Sequence, residues 1–144
     1  MFRRIIATSA TWFTMPLRLA IGIVFIAHGA QKTLGSFAGP GFEKWTAISA
    51  PLPFMKPAWL WLAAAALSEL LGGVMVLLGL LTRVGAFLIA CVMITAIVST
   101  HWPAFFVPKG IEFPMSLLAI SLALLISGGG MASVDKALAG GRRR

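Results

Sequence analysis

Cysteine occurs once in this chain, at Cys91, so neither an intramolecular disulfide nor a CxxC redox pair can form. That excludes, within the chain, the chemistry of four-helix membrane thiol oxidants, and Cys91 reads as a small buried apolar residue. Histidine occurs twice, at His28 and His101, which leaves too few ligands for a zinc centre, so no metal site is expected. Acidic residues number four. No hydrolytic triad and no phosphate-cradling loop can be traced, because Gly128 to Gly130 follows an apolar run and fits a helix end better than a nucleotide loop. Charge as a whole is scarce at 11% of residues against 59% hydrophobic, with a mean hydropathy of +0.94, and that balance excludes an ordinary soluble domain.

What remains is apolar sequence in long runs. Four stretches, 12–32, 59–81, 84–101 and 113–131, each approach the ~20 residues that a spanning helix needs. Backbone groups in lipid must be satisfied internally, so the expected fold is all-α: an integral membrane antiparallel four-helix bundle, one domain over residues 1–144. Arg18 interrupts the first run and His28-Gly29-Ala30 is a poor cleavage site, so that run is expected to be a retained helix and not a signal peptide. Arg3, Arg4, Arg83, Lys136 and Arg142 to Arg144 flank the runs on one side, which places both termini in the cytoplasm by the positive-inside rule. The net charge of +8 then reflects topology and anionic lipid; nucleic acid is not an expected partner, since the basic residues flank spans instead of forming a patch. Thr82 and Arg83 make a tight hairpin joint. Residues 33–57 form a long outer loop with a short helix near 42–49, whose Phe42, Trp45 and Ile48 would lie on the bilayer surface. Trp102, Phe105 and Phe106 add aromatic residues to a second outer loop.

The functional question rests on the polar residues inside the runs. Glu69 lies ten residues from Trp59, about 15 Å along a helix and near the midplane of a ~30 Å hydrocarbon core. Ala65, Ala66, Glu69, Gly72 and Gly73 share a face of small residues, so Glu69 should point into the bundle. Arg18, Gly22, Phe25, Gly29 and Lys32 make one face of the first helix, with His28 on its flank. By rise per residue, Lys32 lies near the outer surface, His28 about 6 Å deeper and Arg18 about 21 Å below Lys32. An Arg18–Glu69 ion pair is the economical structural expectation. The sharper expectation is a site for a quinone entering from the lipid. Glu69 would exchange protons, His28 would hydrogen-bond the headgroup, Arg18 would be the charge partner, and Lys32 and His101 would line the mouth. Haem ligated by His28 and His101 is the weaker alternative.

The run Leu17-Arg18-Leu19-Ala20-Ile21-Gly22, with Phe25, His28-Gly29 and Gln31-Lys32, resembles the opening signature of the DoxX family of small bacterial membrane proteins. Glu69 with Gly72-Gly73, Gly79 and Thr82-Arg83 is similar to that family's second helix and hairpin. Gly110, Glu112 and Pro114, then Gly128 to Gly130 with Ser133 and Asp135, are similar to its C-terminal signature. The resemblance implies a bacterial inner-membrane protein of four helices that serves as the membrane subunit of a redox complex, related to the membrane subunits of thiosulfate:quinone oxidoreductase. It also implies a soluble redox enzyme as partner, since the chain shows no haem, flavin or cysteine pair of its own and is not expected to be a complete enzyme. The other expected partners are the bilayer and a second copy of the chain. Two alternatives stay open: a small proton-coupled transporter working through Glu69, and a structural anchor that recruits soluble enzymes.

Overall fold

The computed structural model describes residues 5–106 and 108–140; Arg3, Arg4 and Arg142 to Arg144, which carry part of the expected orientation, lie outside the described residues. The described residues form helices and no strand. They are α1 (Thr14–Leu34), α2 (Gly41–Thr46), α3 (Ala58–Leu78), α4 (Thr82–Ala96) continued by a π-helical turn (Ile97–His101), α5 (Glu112–Ser127) and α6 (Val134–Gly140). Two segments, Ala58–Leu78 and Thr82–His101, are long and apolar enough to cross a membrane, and Glu112–Ser127 is a shorter apolar helix. The last expected run ends four residues early because Gly128, at φ 75°, turns the chain out of α5.

The long helices pack α1 on α3, α3 on α4, α4 on α5, and α5 back on α1. Ile21, Phe25, Val76, Ile89, Leu117 and Leu124 meet in the centre. Where membrane helices approach closely, packing and not hydrophobicity decides the fit, and glycine removes the side chain that would hold them apart. A Cβ on Gly22 would come 2.8 Å from that of Leu77, and one on Gly73 would come 2.8 Å from the amide nitrogen of Ile26. Gly22 meets Leu77 while Gly29 meets Leu70, so α1 and α3 run antiparallel. The α3–α4 hairpin is equally tight near its turn, where a Cβ on Gly85 would sit 2.9 Å from the carbonyl oxygen of Gly72.

At the hairpin end, side chains from distant sequence take up the backbone groups that helix termini leave unpaired. The Arg18 guanidinium donates to the carbonyls of Val76 (2.9 Å) and Leu77 (2.8 Å) at the end of α3, and to those of Gly129 (2.9 Å) and Ala132 (2.6 Å) in the turn after α5. Arg83 does the same for the end of α5, donating to Leu125 (2.9 Å) and Ile126 (2.7 Å). Asp135, on α6, accepts from the amides of Leu81 (2.7 Å) and Thr82 (2.9 Å) and from the Thr82 hydroxyl (2.8 Å), and so acts as an N-cap for α4 supplied from another element.

The expected Arg18–Glu69 ion pair is therefore corrected. Arg18 sits beside Gly79 and spends its donors on carbonyls, while Glu69 lies about 10 Å of helix rise away from Val76. Replacing Arg18 by methionine keeps a buried stem but removes four hydrogen bonds. The carbonyls of Val76 and Gly129 keep the Gly79 amide and the Thr14 hydroxyl, those of Leu77 and Ala132 lose the guanidinium, and the loss should cost about 3 kcal/mol or more. An SDS-titrated unfolding midpoint checks this; Arg18→Lys should recover little, because one ammonium cannot span four carbonyls. Midpoints equal to wild type would contradict the clamp.

Candidate functional site

Away from the hairpin turn, α3 and α4 separate and a cavity of about 240 Å³ opens between them. Small residues of α3, Ala64, Ala65 and Ser68, make the space on one wall; Leu88, Cys91, Val92 and Thr95 of α4 form the other. Pro51 and Met55 from the loop before α3, together with Trp45 of α2, close it above. Glu69 and Lys32 stand at the inner end.

The reason Lys32 meets Glu69 lies in where α1 stops. Gly29 packs against Leu70, and α1 ends at Leu34 with Gly35 at φ 70°. Lys32 is thus level with the middle of α3, and α3 continues about 12 Å beyond it toward Ala58. Residues 35–57 fold back beside that remaining stretch of α3 instead of lying flat on a surface. α2 packs on both α1 and α3, and the Trp45 indole N–H donates to the carbonyl of Leu62 at 2.9 Å. The expected apolar side of Phe42, Trp45 and Ile48 is split: Phe42 and Ile48 are exposed, while Trp45 turns inward.

Lys32 Nζ donates to both carboxylate oxygens of Glu69, at 2.5 and 2.6 Å. The Glu69 side chain is 3% exposed and that of Lys32 19%, so the carboxylate is the member that cannot reach solvent by itself. The ammonium also sits 4.7 Å from the centre of the Trp45 ring, over its face, where the ring quadrupole attracts a cation. Two of its three N–H groups are committed to Glu69, and one remains.

Of the five residues expected to form a site, the structure brings two together, Lys32 and Glu69. Arg18 belongs to the clamp at the opposite end. His28 is exposed on α1 and does not line the cavity, since its helix position points it away from α3. The Nδ1 of His101 is 3.0 Å from the carbonyl oxygen of Lys109, which ties it to the following loop; its neighbours Ser99 and Thr100 line the cavity, and it does not. Trp45 and Cys91 line the cavity although sequence reasoning placed neither there. Cys91 is exposed, not buried, because it lies on the face of α4 that also exposes Phe87, Ile94 and Val98. The signal for Cys91 was available: Leu88, Cys91, Thr95 and Ser99 recur every three or four residues and bring three polar side chains to one face of an apolar helix.

The model of the family described as DoxX matches residues 13–102, a range that includes α1, the α2 loop, α3 and α4 and thus the whole cavity. The chain belongs to the DoxX family. One relative, "Putative oxidoreductase CatD" of Bacillus subtilis (strain 168), is 32% identical to this DoxX chain over 122 residues, covering 85% of this chain and 84% of that protein. No solved structure matches this DoxX chain.

Removing either partner of the ion pair leaves an uncompensated charge, at an expected cost of about 3–5 kcal/mol. Lys32→Met should be the more damaging, because it strands the carboxylate that is 3% exposed. The double variant Lys32→Met/Glu69→Leu should lose clearly less than the sum of the singles, as a double-mutant cycle on unfolding midpoints would show. Additive losses would mean that the pair contributes no coupling.

Proposed function

We propose that this DoxX protein is a four-span membrane bundle with both termini in the cytoplasm, acting as the membrane subunit of a redox complex. The cavity between α3 and α4 takes the headgroup of a quinone or a similar amphipathic ligand. The observation that carries the reading is a mostly apolar cavity whose polar end is the Lys32–Glu69 ion pair, its carboxylate buried and its ammonium part-buried with a donor to spare. Sites for small ligands combine apolar walls with a few placed polar groups in this way. The relative's name as an oxidoreductase supports the redox assignment.

A quinone, when bound, supplies an acceptor for two electrons and two protons. The chain's own residues do the holding. Lys32 offers its third N–H to a carbonyl oxygen of the ligand, and Trp45 and Trp61 supply aromatic surface along which a ring can lie. Glu69 holds the Lys32 amine in place through both carboxylate oxygens, and is the group through which a proton leaves or arrives. Electrons come from a soluble redox partner. Cation transport through Glu69 is less well supported, because the carboxylate already has an intramolecular cation as its partner. A role as a structural anchor alone would leave the cavity without a use.

The test is binding of a tail-bearing quinone, decylubiquinone, to the purified chain in nanodiscs, followed by quenching of tryptophan fluorescence. Saturable binding is expected for wild type, with affinity about tenfold weaker in the Lys32→Met/Glu69→Leu variant, equivalent to about 1.4 kcal/mol. Absence of saturable binding, or equal affinity in the folded double variant, refutes the quinone assignment.

A further inference from the structure

The direction in which the cavity opens carries more information than its volume. Toward the hairpin turn it is shut by the close approach of Gly72 and Gly85. Above, it is roofed by Trp45, Pro51 and Met55, and Met55 is only 8% exposed. The inner end is filled by Glu69 and Lys32. What is left is the gap between α3 and the helix formed by α4 and its π-helical turn, where the cavity-lining residues Trp61, Ala64, Cys91 and Thr100 are exposed. Around that gap the surface is apolar: Leu60 (49%), Leu67 (44%), Phe87 (54%) and Ile94 (50%) stand exposed on the two helices. Such a surface faces lipid and not water.

We propose that the ligand enters and leaves sideways, from the bilayer through the α3–α4 gap, and that Ala64 and Cys91 form the sill on which its apolar tail rests. The proposal rests on the membrane-embedded reading of the cavity given above and adds the route and the chemical class: a neutral ring carrying a hydrocarbon tail. The size fits that division. About 240 Å³ is below the ~300–1,000 Å³ of pockets that enclose a whole drug-sized ligand, so a ring is taken in and a tail is left outside. The closed ion pair agrees, because a charged headgroup would have to compete with a partner already in place. Ala64 leaves the sill low, and a large side chain there would fill the gap without touching the ion pair.

Cys91 is the chain's single cysteine, so thiol labelling reports on the sill without background. The experiment uses the full chain in lipid vesicles. N-ethylmaleimide, which partitions into the bilayer, should label Cys91 at least about tenfold faster than a sulfonated, membrane-impermeant maleimide, the tenfold corresponding to about 1.4 kcal/mol of access free energy. Equal rates would overturn lateral access whether or not quinone binds. Saturating decylubiquinone should slow N-ethylmaleimide labelling by a similar factor, and unchanged labelling with quinone bound would overturn the sill. Ala64→Trp, with a wild-type unfolding midpoint, should weaken decylubiquinone about tenfold. It should leave the tail-less 2,3-dimethoxy-5-methyl-1,4-benzoquinone within about twofold of wild type, a difference under ~0.5 kcal/mol. Equal loss of both ligands would overturn the assignment of Ala64 to the tail. If wild type binds neither quinone, the functional reading fails, and the two maleimide rates still decide the portal.

Discussion

The structure depends on the way one guanidinium is buried. Arg18 is 5% exposed in an apolar setting, where an unsatisfied charged group costs several kcal/mol. It meets that cost with carbonyl oxygens, two at the end of α3 and two in the turn after α5. Each of these oxygens belongs to a chain segment that needed a donor, so a single side chain joins α1, α3 and the 128–132 turn. Thr14 shares the Gly129 carbonyl at 3.0 Å, and Asp135, held by its own amide to the carbonyl of Gly79 at 2.8 Å, adds the start of α4 to the same knot. An arginine suits this role because its planar fork presents five donors in fixed directions.

Stitching one end fixes where a cavity can form. The α3–α4 hairpin is pinned at its turn by Asp135 and Arg18, and two glycines let the backbones touch just above it. Two helices that touch through glycine at one end leave a wedge toward the other where the facing side chains are too small to fill it. On α3 the wedge receives Ala64, Ala65 and Ser68, which are too small to fill it. The cavity is therefore a consequence of glycine below and alanine above on one helix face. Packing carries this argument, since apolar transfer gives helices in lipid little preference for each other.

Much of this was legible in the sequence, and the parts that were not share one physical cause. The face of Gly22, Gly29 and Lys32 and the small-residue face around Glu69 could be read from spacing, and these faces are the ones that meet. The partner of Glu69 could not, because spacing gives rise along a helix and not the relative height of two helices. Placing Lys32 at an outer surface assumed that the end of α1 lies level with the start of α3. In fact α1 ends opposite the middle of α3, and this offset moves Lys32 to Glu69 and leaves Arg18 for the hairpin end. The same offset explains Trp45: a loop expected on a surface is drawn in to cover the exposed stretch of α3, and its indole becomes part of the site. Cys91 was misplaced for a related reason, since spacing alone does not say which face of an apolar helix is left exposed.

The difference between the buried Arg18 and the part-buried Lys32 bears on the proposed function. Arg18 has its donors spent on four carbonyls and is locked, so it can hold a fold and do little else. Lys32 is a point charge on a flexible stem that gives two N–H groups to one carboxylate and keeps a third. An arginine at position 32 would meet Glu69 with a bidentate fork and a rigid plane, whereas an ammonium can rotate about its last bond without breaking the pair. Its other neighbour is the Trp45 indole face, which holds the charge by an interaction of about 0.5–2 kcal/mol, weak enough to be exchanged for a ligand ring. The protein thus uses its arginine where geometry must not change and its lysine where one contact has to remain available. That division favours the Lys32 end as the place of the proposed ligand site.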